Sequence, residues 1–243
     1  MQLVNRKNHI SKQDILSIRV VLDRSGSMAG SQKATMEALN TYLTDLRREK
    51  SINALLTLST FDSISIDIPI SRVSVKRFKS FPEDLLKPRG GTPLFDAIGL
   101  AIHDLENIEE STDENKVLVI VTDGFENASK EYTFENISSK IKEKEEDGWL
   151  IIYLGADHDA FKQSNSLNFD RHRTMRYSKG DSVDTFRAVT RTTLDYSKGM
   201  KSKNIKFTEQ ERIYSDKPSD DKFEDYFQAD AHVKAYRKLE EEK

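Results

Sequence analysis

The sequence contains no cysteine, which excludes structural disulfides and thiolate-bound metal. No apolar run approaches the roughly 20 residues that a bilayer-spanning helix needs. Met1 to Lys12 lacks the apolar stretch of a secretory leader. Internal repeats and single-residue tracts are also missing. The formal net charge is only −3, so bulk charge gives no argument for nucleic acid. No Walker lysine loop is present, and His9, His103, His158, His172 and His232 have no zinc spacing. These absences lead to the expectation of a cytoplasmic protein that neither enters a membrane nor carries a zinc site.

What is present is a chain of 243 residues whose apolar content, 36%, is enough to fill a core. That length suits one α/β domain with extensions. Short β-branched runs at Ile15 to Leu22, Asn53 to Phe61, Lys116 to Thr122 and Trp149 to Leu154 predict buried strands. Ser63 to Ile70 alternates apolar and polar residues, so it reads as a half-exposed strand in an antiparallel hairpin with its predecessor. Thr174 to Tyr177 is a candidate edge strand. Helical periodicity marks Gly30 to Lys50, Thr92 to Asn107, Thr133 to Asp147, Asp157 to Ser166 and Asp181 to Ser197. Alternating strands and helices with long connections predict a doubly wound, mostly parallel sheet with helices on both faces. Ligands in such sheets sit beyond the C-terminal strand ends, where the strand order reverses.

Three polar clusters fall at that edge. The first strand runs into Asp23, Ser25 and Ser27, Thr92 follows Gly90 and Gly91, and Asp123 follows the KVLVIVT strand. Their donors are all carboxylate or hydroxyl oxygen, the ligand type of a hard divalent cation such as Mg²⁺, with Mn²⁺ or Ca²⁺ as substitutes. Any one cluster alone reads as a helix cap; three at one sheet edge favour an ion.

These residues resemble the von Willebrand factor A (VWA) family and its metal-ion-dependent adhesion site, whose pattern is D-x-S-x-S, a later threonine and a later aspartate. Asp23-Arg24-Ser25-Gly26-Ser27, Thr92 in GGTPLFDAI and Asp123 in VIVTDGFEN match it, over roughly residues 15 to 197. The resemblance implies a Rossmann-like six-stranded sheet with one antiparallel edge strand. It implies direct coordination by Ser25 and Ser27 and water-mediated coordination by Asp23. Thr92 and Asp123 would change coordination with state. It further implies a partner protein that offers Asp or Glu to the ion. DRSGSM, GGTPLFDAI and IIYLGADHDAF resemble the bacterial and phage intracellular branch, whose members work beside AAA+ ATPases or in stress-response complexes.

Gly91, Phe125, Glu126, Asn127 and His158 are the expected partner-binding rim. His158 lies between Asp157 and Asp159, where a helix cap competes with acid–base chemistry or a second metal. Residues 1–14 read as an extension and 198–243 as a polar tail with one candidate helix, Ala229 to Glu242. Phe223, Tyr226 and Phe227 keep a docking role open for that tail. Two other functions compete with the binding module. One is a metal-assisted phosphoester hydrolase, for which no nucleophile–base pair is visible. The other is nucleic-acid binding through the basic 171–203 stretch, which has little aromatic interleaving.

Overall fold

The computed structural model describes residues 15–108, 114–155, 164, 167–176 and 182–215. Six strands form one sheet: β1 (Ile15–Asp23), β2 (Asn53–Phe61), β3 (Ile66–Ser74), β4 (Glu114–Thr122), β5 (Leu150–Gly155) and β6 (Thr174–Arg176). Their order is β3-β2-β1-β4-β5-β6. All neighbours are parallel except β2 and β3. The helices are α1 (Gln32–Arg48), α2 (Leu94–Glu106), α3 (Phe134–Glu146), α4 (Ser182–Ser197) and the short α5 (Glu209–Ser215). This is the doubly wound, Rossmann-like arrangement that the sequence predicts, with β3 as the antiparallel edge. None of these helices is long and apolar enough to cross a membrane.

The two faces follow from the period of two along a strand. Leu16, Ile18, Val20 and Leu22 of β1 pack with Val117, Val119 and Val121 of β4 under α1 and α4. The intervening Val21, with Leu118 and Ile120, packs under α2 and α3. Strands apolar on both sides must lie between two helix layers. Tyr42 on α1 joins that helix to α4, its ring tilted against Phe186 at 6.1 Å and its hydroxyl sharing a 3.1 Å hydrogen bond with Thr193.

The β2–β3 hairpin forms as expected, but β3 starts at Ile66 rather than Ser63. The reason is Asp62, whose carboxylate accepts the amides of Ile64 and Ser65 at 2.7 and 3.0 Å. That side-chain turn competes with ladder pairing and leaves Ile64 67% exposed. α2 starts at Leu94, two residues later than expected, with Pro93 at its cap. The chain after α4 turns back onto the domain. Ile205 and Phe207 are buried and join the core beneath α1 and α4. Arg191 of α4 holds Glu211 through two contacts of 2.6 and 2.8 Å. The candidate elements at 157–166 (Ser164 apart) and 229–242, and the extension 1–14, lie outside the described residues.

Candidate metal centre

The strand order reverses at β1, which has β2 on one side and β4 on the other. A crevice therefore opens where β1 and β4 end, at Asp23 and just past Thr122. Asp23 is wholly buried. One carboxylate oxygen accepts the Ser25 amide at 2.7 Å and the other accepts the Thr122 hydroxyl at 2.6 Å. The loop then curls so that the Ser25 and Ser27 hydroxyls meet at 3.0 Å. The Ser27 hydroxyl in turn donates to Asp123 at 2.5 Å.

Thr92 comes from the loop before α2. Its backbone exchanges two bonds with Asn127: its amide donates to Asn127 Oδ1 at 2.8 Å, and its carbonyl accepts the Asn127 amide at 3.1 Å. Gly124 shows how close the three loops come. A Cβ placed there would lie 3.0 Å from Thr92 Oγ1 and 3.1 Å from Ser27 Oγ. The structure thus brings all five sequence-predicted metal residues to one place. Asp23, Ser25 and Thr92 form a buried floor, while Ser27 is exposed and Asp123 half-buried at the mouth.

Burial pushes the Asp23 carboxyl up to about 6, against hydrogen bonds that favour its charged form, and the nearby Asp123 pushes it the same way. Two acids held together in a partly dry site are costly unless a cation joins them. Among the described residues no cluster of three or more His, Cys, Asp or Glu could hold a metal. The donor set here is two carboxylates and three hydroxyls. It fits a hard cation that keeps waters in its shell, as Mg²⁺ does, and the space above Gly124 is a cradle that one methyl group would fill.

The rim residues divide. Phe125 is 49% exposed. The Glu126 carboxylate is turned inward, accepting the amides of Phe95, Ala128 and Ser129 and the Ser129 hydroxyl at 2.7–2.9 Å. It ties its loop to α2. Asn127 positions Thr92, and Gly91 lies so close that a Cβ there would meet Asn127 Oδ1 at 2.6 Å. His158, with Asp157 and Asp159, lies outside the described residues.

Sequence reasoning missed the scaffold behind the site. The buried Asp62 carboxylate accepts Arg24 Nε at 2.5 Å and Arg89 Nε at 2.8 Å. Arg24 also reaches Asp67 and the Ser65 hydroxyl. Backbone bonds complete the lock, from the Gly26 amide to Gly90 O at 3.0 Å and from the Arg89 amide to Arg24 O at 2.9 Å. Gly90 takes φ +67°, which favours glycine. The signal was an arginine inside D-x-S-x-S and an aspartate just past β2, but their pairing spans 38 residues. In the basic stretch, Arg173 pairs with Glu145 and Asp170, Arg187 with Asp184, and Arg191 with Glu211 and Asp195. Much of its charge is thus met within the chain.

No family model and no curated protein matches this sequence. Solved structures do. The vWF domain of the type V pili tip protein Mfa5 from Porphyromonas gingivalis aligns with a TM-score of 0.57 at 10% identity, over 74% of this chain and 94% of that one. The SpRpn10 VWA domain aligns at 0.51 and 13% identity, over 70% and 94%. Proximal thread matrix protein 1 from the mussel byssus, in a structure with a zinc-occupied MIDAS motif, aligns at 0.53 and 12% identity, over 73% and 48%. A von Willebrand factor type A structure from Catenulispora acidiphila aligns at 0.53 and 14% identity, over 74% and 43%. The chain spans less than half the length of the last two. At these identities the likeness establishes the fold, and the fold of this chain is that of a von Willebrand factor A domain.

Proposed function

We propose that this chain is a metal-dependent protein-binding module. Asp23, Ser25, Ser27, Thr92 and Asp123 hold a divalent cation, Mg²⁺ by the chemistry of the donors, with Mn²⁺ or Ca²⁺ able to substitute. When bound, that cation offers a Lewis-acidic position to an anionic oxygen. The partner supplies the oxygen from an Asp or Glu side chain, as part of a larger assembly such as an AAA+ or stress-response complex. Asp23 and Thr92 anchor the floor, Ser27 and Asp123 leave the mouth open, and Phe125 gives the partner an apolar contact.

The observation that supports this reading is that five oxygen-bearing side chains come from three adjoining loops, with Ser25, Ser27 and Asp123 in one hydrogen-bonded chain and Thr92 Oγ1 and Ser27 Oγ both beside Gly124. The mussel byssus relative, whose structure has zinc at its MIDAS motif, supports a metal at this position of the fold. The test is a Mn²⁺ titration followed by electron paramagnetic resonance, then partner capture from native lysate in Mg²⁺ against EDTA. Wild type should bind one Mn²⁺ and retain a partner only in Mg²⁺, and Asp23→Ala should do neither. Stoichiometric Mn²⁺ binding unchanged by Asp23→Ala would sink the site. Capture indifferent to EDTA would sink the adhesion role.

A further inference from the structure

Ile64 is 67% exposed, on the turn between β2 and β3. Its neighbour Ser63 is bonded to Gly91 in both directions. The Ser63 amide donates to Gly91 O at 3.0 Å, and the Gly91 amide donates to Ser63 Oγ at 2.8 Å. Gly91 immediately precedes Thr92, so the turn lies beside the threonine loop. The Asp62 carboxylate braces the turn through the Ile64 and Ser65 amides, and through Arg24 it ties the turn to the serine loop. Phe125, 49% exposed, stands on the loop after Asp123. That loop is bonded to Thr92 through Asn127. Two exposed apolar side chains therefore stand on loops fastened to the same Gly91–Thr92 segment. Such a rim suits a ligand that is acidic and apolar at once.

The chain carries a segment of that chemistry. Asp216 to Phe227, DKPSDDKFEDYF, has five acids against two lysines, and Glu224 and Asp225 stand between Phe223 and Tyr226. The other acidic run of the tail, Glu240 to Glu242, has no aromatic residue next to it. The reach is sufficient. α5 precedes the segment and is fastened beside β6 by Arg212, which donates to Arg171 O at 2.5 Å. In the sheet order β6 is three strand intervals from β1, about 14 Å at about 4.8 Å each. The nine residues from Asp216 to Glu224 extend to about 30 Å. A ligand on so short a tether acts at an effective concentration in about the millimolar range, so one carboxylate of modest intrinsic affinity suffices.

We propose, resting on the metal-binding reading above, that the Glu224-Asp225 pair supplies a carboxylate to the cation of its own molecule, with Phe223 and Tyr226 against Ile64 and Phe125. The segment takes the position that a partner's acid would take. A partner must displace it, and the tether sets the affinity that the partner has to exceed.

The test is hydrogen exchange of the full chain in Mg²⁺ against EDTA, run beside the Mn²⁺ titration. In wild type, Mg²⁺ should slow exchange across residues 219–228 about tenfold. The slowing should vanish in Asp23→Ala and in the double variant Glu224→Gln, Asp225→Asn, and shrink in Ile64→Ser. It should persist in Glu241→Gln, Glu242→Gln, and it should not depend on protein concentration. Wild type that binds Mn²⁺ but shows no slowing overturns the tethered ligand and leaves the metal site standing. Wild type that binds no Mn²⁺ overturns both. Slowing that survives Glu224→Gln, Asp225→Asn overturns the assignment of the acid pair. Slowing that grows with concentration also overturns the proposal, because it places the segment on a second copy of the chain.

Discussion

Gly124 offers the sharpest test that separates the candidate metal centre from ordinary loop packing. A methyl group there would press on Thr92 Oγ1 and Ser27 Oγ at about the distance where real Cβ contacts become rare. No buried hydrocarbon is lost. Gly124→Ala is therefore expected to weaken Mn²⁺ binding at least tenfold, about 1.4 kcal/mol, while the melting temperature holds. An unchanged Mn²⁺ titration would mean that the ion does not occupy that cradle. Asp62 gives a different readout. Burial alone would raise its carboxyl, but hydrogen bonds from Arg89, Arg24 and two amides outweigh this and hold it below the usual range. A carboxylate lowered on folding contributes stability that is full above its unfolded pKa of about 4 and is lost as pH falls through the lower folded value. Asp62→Asn should thus be less stable than wild type at neutral pH, and the gap should close as pH drops below about 4. Urea midpoints measured across that range check the sign.

At the scale of elements, the loop that leads into α2 carries Thr92 of the candidate site, and the first turn of that helix is clasped by the loop after Asp123. The Asp96 carboxylate accepts the amides of Lys130, Glu131 and Tyr132 at 2.8–3.0 Å. Glu126 returns the contact from the loop side. Asp96→Ala leaves three amides unmet, so a loss of about 2–4 kcal/mol in urea unfolding is expected, together with weaker Mn²⁺ binding as Thr92 loosens. An equal loss of stability with intact Mn²⁺ affinity would show that the clasp does not position the site. The strands and helices were legible because their apolar periods are strong. β2 runs over Asn53–Phe61, the span its β-branched run predicts. The candidate metal residues stood out for a related reason: Asp23 and Asp123 come where apolar strands end, Ser27 and Thr92 follow glycines, and Ser25 lies between Asp23 and Ser27 in one loop. What the sequence did not reveal depends on pairing between distant side chains. Asp62 moved the start of β3 through a turn of its own making. Glu126 reads as a free rim charge until its four donors are seen.

At the scale of the whole molecule, β1 carries Asp23 to the edge of the sheet where the candidate metal centre lies. The doubly wound order makes this possible by keeping β1 between two parallel neighbours. The chain beyond Ser197 also belongs to this scale. Its polar composition suggests solvent, yet Ile205 is 1% exposed and Phe207 is 5% exposed. The Phe207 amide donates to His172 O at 2.9 Å, Arg173 Nη1 donates to Ser202 O at 2.8 Å, and Arg191 grips Glu211. Two apolar residues in a polar stretch are too few to set a periodicity, so composition hides them. Their burial nonetheless fastens α4 to the region around β6. Truncating a buried isoleucine or phenylalanine typically costs about 2–5 kcal/mol. Ile205→Ala and Phe207→Ala should each lower stability by an amount in that range, read from urea unfolding. If the segment acts as one clasp, the double variant should lose less than the sum of the two, because the first truncation already frees the second residue. Full additivity would mean that each anchors the chain separately, and no loss from either would return residues beyond Ser197 to the solvent.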